Sequence, residues 1–233
     1  MTMSELHFDT LLSSKDLKAA DRWHPTLVSS FEAALKLDPS VSNYYELKKN
    51  LVYSLQYLEF LELECKELAL TSVLSTMLYK TYVITGMSIL EGLFSNFLKS
   101  KGLWNTTNLE SLGTTQASET NFGDDKFVVK TEILRKVPDH EAKMDLDNMI
   151  VALSRHHDVL DVDHLVYPAL KRLKNFRNKV HLQKIEHEYD HDYNSFSLDT
   201  KKEMGRILHT ILTSSNVTDL PEKFDFLKVN GDE

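Results

Sequence analysis

The chain has 233 residues, 42% of them hydrophobic, enough to bury one substantial core with at most a small appendage. A formal charge of -8, from 27 basic and 35 acidic residues, excludes a broad salt-driven coat on nucleic acid and leaves only local contact. Cys65 is the only cysteine, which excludes an internal disulfide and any thiolate-rich metal site.

Seven Gly and five Pro leave few places to break the chain, so long helices are the natural reading. The start has no basic stretch followed by an apolar run, and no segment reads as long and apolar enough to span a bilayer, so a cytoplasmic protein without membrane contact is expected. Residues 1–40 read as an N-terminal helical extension, amphipathic and irregular around Asp16 to Leu37. The turn Asp38-Pro39-Ser40 introduces a helix over about 41–67, with Ser42 as its cap and Leu47, Leu51, Leu55, Leu58 and Leu61 at helical spacing. A second helix, 71–101, is densely apolar and closed by Gly102. Residues 104–125, rich in Thr, Asn, Ser and Gly, carry no period and read as a polar loop. Phe127 to Leu134 fits a strand or a helix equally. Helices are expected again over 139–155, over 163–182 with Asp163 as cap and Pro168 near the true start, and over 198–214. The whole reads as one all-α domain, an antiparallel helical bundle spanning 1–233.

The most informative stretch is a basic island. Between His164 and Ile185 there is no Asp or Glu, while Lys171, Arg172, Lys174, Arg177, Lys179 and Lys184 all fall inside, so an anion is the expected guest. Val166, Leu170, Leu173 and Arg177 share a narrow angular band at 100° per residue, so Arg177 prolongs an apolar stripe. An Arg so placed must find a carboxylate, a ligand or a subunit boundary. Glu91, alone on the apolar run from Ile84 to Phe94, is the candidate partner. His181 follows Arg177 one turn later, roughly 40° away in azimuth and about 6 Å along the axis, a workable reach for one phosphate held by a planar fork with an imidazole beside it.

Other constellations are weaker. Asp190-x-Asp192-x-Asn194 imitates the start of a calcium loop, but Ser195 replaces the needed Gly and Lys201 stands in the place of the bidentate Glu. His156, His157 and Asp158 with Asp161, Asp163 and His164 would hold a metal only if the loop folded back on itself, and a helix end explains them more simply. There is no phosphate-cradling glycine loop, no nucleophile elbow and no His-Glu-x-x-His, so no cofactor or metal is expected. The aromatics Tyr44, Tyr45, Tyr53, Tyr57 and Phe60 read as core or a dimer face rather than as a platform for bases.

Ser88-x-x-Glu91 on an apolar helix, followed later by Arg177-Asn178-x-x-His181, resembles the HEPN superfamily of helical-bundle nucleotide-binding domains over roughly 41–213. The resemblance implies metal-independent RNA cleavage of a defence or toxin kind. It makes His181 the acid and base, Arg177 the phosphate stabiliser, Asn178 an orienting hydrogen bonder and Glu91 the anchor of Arg177, with Lys174, Lys179 and Lys184 as phosphate contacts. It also implies a homodimer with a shared cleft, and a cognate inhibitor protein as a further partner. Nuclease members place four to six residues between Arg and His, and this chain has three. Two other readings therefore stand beside catalysis: an RNA or nucleotide binder that does not cleave, and a protein-interaction module in which Glu91 and Arg177 are a structural pair.

Overall fold

In the computed structural model, residues 24–115, 118–180 and 191–229 are described. The chain divides into two units, one formed by Met1–Gly102 with Leu146–Glu233 and the other by Leu103–Asp145.

Helix α3 (Ser72–Ser100) organises the first unit, because its apolar residues run nearly all round it. Tyr82, Val83, Met87, Leu90, Leu93, Phe94 and Leu98 are fully buried. Each such side chain removed from water contributes about 2 kcal/mol. Helices α2 (Tyr44–Glu67), α4 (Leu146–Arg155), α5 (Val166–Arg177) and α7 (Leu198–Leu212) all pack against it. Two glycines set how closely. A Cβ on Gly86 would meet Leu208 Cδ1 of α7 at 2.9 Å, and one on Gly92 would meet Leu51 Cδ2 of α2 at 3.0 Å. By length and composition α3 is also long and apolar enough to cross a membrane, which corrects the expectation that no stretch is.

Residues 1–23 of the expected N-terminal extension lie outside the described residues. Only α1 (Val28–Ala34) is helical among residues 24–40, and it is laid into the core. Phe31 stacks on Phe224 of the C-terminal 3-10 turn Pro221–Leu227, with ring centres 5.9 Å apart. Glu59 of α2 accepts from the Thr26 N–H at 2.9 Å and from its hydroxyl at 3.1 Å. The Asp38 turn is clamped by the fully buried Asn96, whose Oδ1 accepts from Asp38 N at 2.9 Å. Ser42 does not cap α2. Asn43 takes the N-cap place in the left-handed region, without a side-chain cap bond.

The all-α expectation is corrected by the second unit. Of the described residues 59% are helical and 16% strand, and the strands form two small antiparallel sheets. β1 (Thr106–Thr114) pairs with β4 (Glu132–Glu141), and β2 (Ser118–Phe122) with β3 (Asp125–Val129). In chain order they make one interrupted hairpin. Phe122 pairs with Asp125 across the two-residue turn Gly123-Asp124, and Gly123 sits at φ 65°, where a side chain would be strained. The expected polar loop over 104–125 is therefore mostly strand. The helix expected from Asp139 starts at Leu146 instead, because residues 139–141 still belong to β4.

Candidate functional site

Helix α5 carries the basic island, and its buried stripe is the one the spacing predicts: Val166, Leu170 and Leu173 are buried, and Arg177 closes the helix. Pro168 stands in the first turn, where its missing N–H has no helical partner to serve. Asp163 Oδ1 accepts from Leu165 N at 2.8 Å just before it. Arg177 reaches Glu91 of α3, with Nη2 2.6 Å from Oε2. The pair is less buried than a shared apolar stripe suggests, since 40% of the Arg177 side chain and 28% of the Glu91 side chain remain accessible. The five N–H donors of Arg177 exceed what one carboxylate can accept, so donors remain for a second acceptor.

After Arg177 the chain tightens into a 3-10 turn over Asn178–Val180. Lys179 Nζ lies 2.8 Å from Ser195 Oγ, on the short helix α6 (Asp192–Ser195). Phe176 packs on Phe196 with ring centres 5.4 Å apart. His181 and Lys184, assigned roles by the sequence, lie outside the described residues.

Three of the island's cations are paired with carboxylates. Lys174 Nζ lies 2.6 Å from Asp147 Oδ1 at the start of α4. That hydrogen bond, with the added charge of Lys171, holds the Asp147 carboxyl below its ordinary value. Arg172 pairs with Glu203 of α7. Glu91, Asp147 and Glu203, one from each of α3, α4 and α7, thus face three cations of α5. The sequence showed the acid-free run of α5 but not the acids brought to it from elsewhere.

Sequence reasoning also missed Lys80. It is a buried charge on α3, eleven residues before the half-buried Glu91 and about 20° from it in azimuth. Its Nζ lies 2.8 Å from Asp192 Oδ2 and over the Phe196 ring, 5.7 Å from the centroid. Lys80 and Glu91 therefore tie down the chain on either side of residues 181–190: Glu91 holds Arg177 before them, and Lys80 holds Asp192 after them. A charge on an apolar helix was the signal that found Glu91, and it applied equally to Lys80.

Tyr45, Tyr53 and Tyr57 lie on the outside of α2, 66%, 54% and 47% exposed, so the core reading of these tyrosines is corrected. Among the described residues no three of His, Cys, Asp or Glu converge as metal ligands. His157 and His164, from the weaker constellation, do meet, with ring centres 4.6 Å apart. A cleft of about 310 Å³ lies elsewhere in the first unit, lined by Lys36, Asp38, Phe97, Lys101 and Asn216 among others, and it includes none of the island's residues. Compared with known proteins, the chain matches no family model, no curated protein and no solved structure.

Proposed function

We propose that this protein binds RNA at the end of α5 and cleaves it without a metal ion, through Arg177 and His181. One observation carries the reading. Arg177 is held at 2.6 Å by a lone carboxylate of the core helix while 40% of its side chain stays open to solvent. Such an Arg is fixed in direction yet free to grip a phosphate oxygen with its remaining donors.

In the proposed reaction the ribose 2′-hydroxyl attacks the phosphorus and gives up its proton. The 5′-oxygen leaves and gains one, and the products are a 2′,3′-cyclic phosphate and a 5′-hydroxyl. His181 moves the proton, Arg177 offsets the charge that builds on the phosphate, and Asn178 orients the phosphate. Lys174, Lys179 and Lys184 add phosphate contacts, the first two by exchanging their present partners for the ligand. The protein works as a homodimer, in a defence or toxin role restrained by a cognate inhibitor, as the resemblance to HEPN domains implies.

A second reading has its own support. The pairing of Arg172, Lys174 and Arg177 with three carboxylates suits an interaction module in which these charges hold helices together. Incubating single-stranded RNA with wild type and His181→Ala in EDTA separates the two. Cleavage by wild type alone supports the nuclease. Equal activity in both, or none in either, favours the structural module.

A further inference from the structure

The ribbon of the second unit leaves its apolar surface in water. Among the described side chains of its strands, only Thr107 and Val137 are even half-buried. Leu112, Phe127, Val128, Val129, Ile133 and Leu134 are each between 46% and 57% exposed. At roughly 100 Å² apiece the five that follow Gly123 offer about 500 Å², a large part of the ~800 Å² that each partner gives to a stable interface. A lone two-stranded ribbon is marginal in water, and its open edges template further pairing.

Five of these lie on the β3–β4 side, against Leu112 and the 40% exposed Leu109 on β1, so the β3–β4 edge is the more apolar one. The successive residues Phe127, Val128 and Val129 point to alternate faces. A partner lying on one face would leave the other uncovered, whereas a strand added at the edge flanks both. Pro138, which has no N–H to give, limits that edge at its far end.

The edge is complementary to itself. Val128-Val129-Lys130-Thr131-Glu132-Ile133-Leu134 is near-palindromic in chemical class about Thr131. In an antiparallel pairing of two copies centred there, Lys130 faces Glu132, Val129 faces Ile133 and Val128 faces Leu134. The backbone agrees. Thr131 turns inward, its oxygen accepting from Thr115 N at 2.8 Å and its N–H donating to Thr115 Oγ1 at 3.3 Å. By strand alternation the outward groups at this joint are those of Lys130 and Glu132, the ones such a pairing needs.

We propose that the β3–β4 edge pairs antiparallel with the same edge of a second copy of this chain, on a two-fold axis through Thr131. The proposal is independent of the RNA reading.

Sedimentation velocity on the full chain at about 10 μM tests it. The wild type is expected to be a dimer, Lys130→Glu to weaken it at least tenfold by setting like charges opposite, and Lys130→Glu with Glu132→Lys to restore it. Thr131→Cys in a Cys65→Ser background is expected to form an intermolecular disulfide under mild oxidation, because the residue meets its own copy at the axis. A monomeric wild type overturns the proposal. So does a dimer indifferent to Lys130→Glu, which would place the association on the helical unit.

Discussion

Glu91 Oε2 and Arg177 Nη2 stand 2.6 Å apart at the edge of the helical core, with both side chains partly in water. Burial decides what that contact contributes. A fully buried pair loses about 3 kcal/mol when one partner is removed, but water screens this one, so the loss should be closer to 1 kcal/mol. Glu91→Gln is therefore expected to lower unfolding free energy by about 1 kcal/mol or less in urea titration, with an unchanged helical spectrum. This mildness makes the pair usable as a functional probe, because its variants should remain folded.

A different pair should dominate stability. Lys201 of α7 and Glu62 of α2 are 2.5 Å apart with each side chain only 9% accessible, and Lys201 lies over the Tyr82 ring at 4.8 Å. Lys201→Met would leave the Glu62 carboxylate buried with the more distant Lys66, at 3.5 Å, as its remaining cation among the described residues. A loss of about 3 kcal/mol is expected in the same titration. The double variant Lys201→Met with Glu62→Leu should recover most of it, since it leaves no uncompensated charge. Additive losses in the double variant would mean that the two residues do not act as a pair.

His209 should shape the response to mild acid. Burial first, then the nearby Lys228, push its imidazole below the ordinary value of 6.5, while Asp225 opposes them. Its Nε2 is buried without a hydrogen-bond partner. The unfolded chain therefore takes up the proton before the folded one. The stability contributed by the neutral ring is present above about pH 6.5 and lost as pH falls through the lower folded value. The melting temperature of the wild type should fall between pH 7.5 and 5.5, and His209→Leu should flatten that fall. Parallel curves for the two proteins would show that another group is responsible.

Much of the helical unit was legible because its signals are local. α2, α3, α5 and α7 carry apolar stripes at helical spacing, and the charges Glu91 and Arg177 stand out on two of those stripes. The ribbon was not legible for the opposite reason. Strands exposed on both faces have no buried side to impose alternation, so residues 104–125 read as a polar loop. The turn Gly123-Asp124, flanked by Phe122 and by Phe127 to Val129, was the available sign of a hairpin. The partners of the basic island were hidden for a third reason. Asp147 and Glu203 meet α5 only through the packing of α4 and α7, which no spacing along one helix reveals.

Cleavage chemistry is the sharpest test of the role given to Arg177 and His181. A labelled single-stranded RNA is incubated in EDTA with wild type, His181→Ala and Glu91→Gln, and the fragment ends are identified. Wild type should yield 2′,3′-cyclic phosphate and 5′-hydroxyl ends, His181→Ala should yield no cleavage, and Glu91→Gln, still folded, should retain a reduced rate because Arg177 loses its anchor rather than its charge. Fragments with 3′-hydroxyl ends, equal cleavage by His181→Ala, or no cleavage by wild type would refute catalysis by this pair.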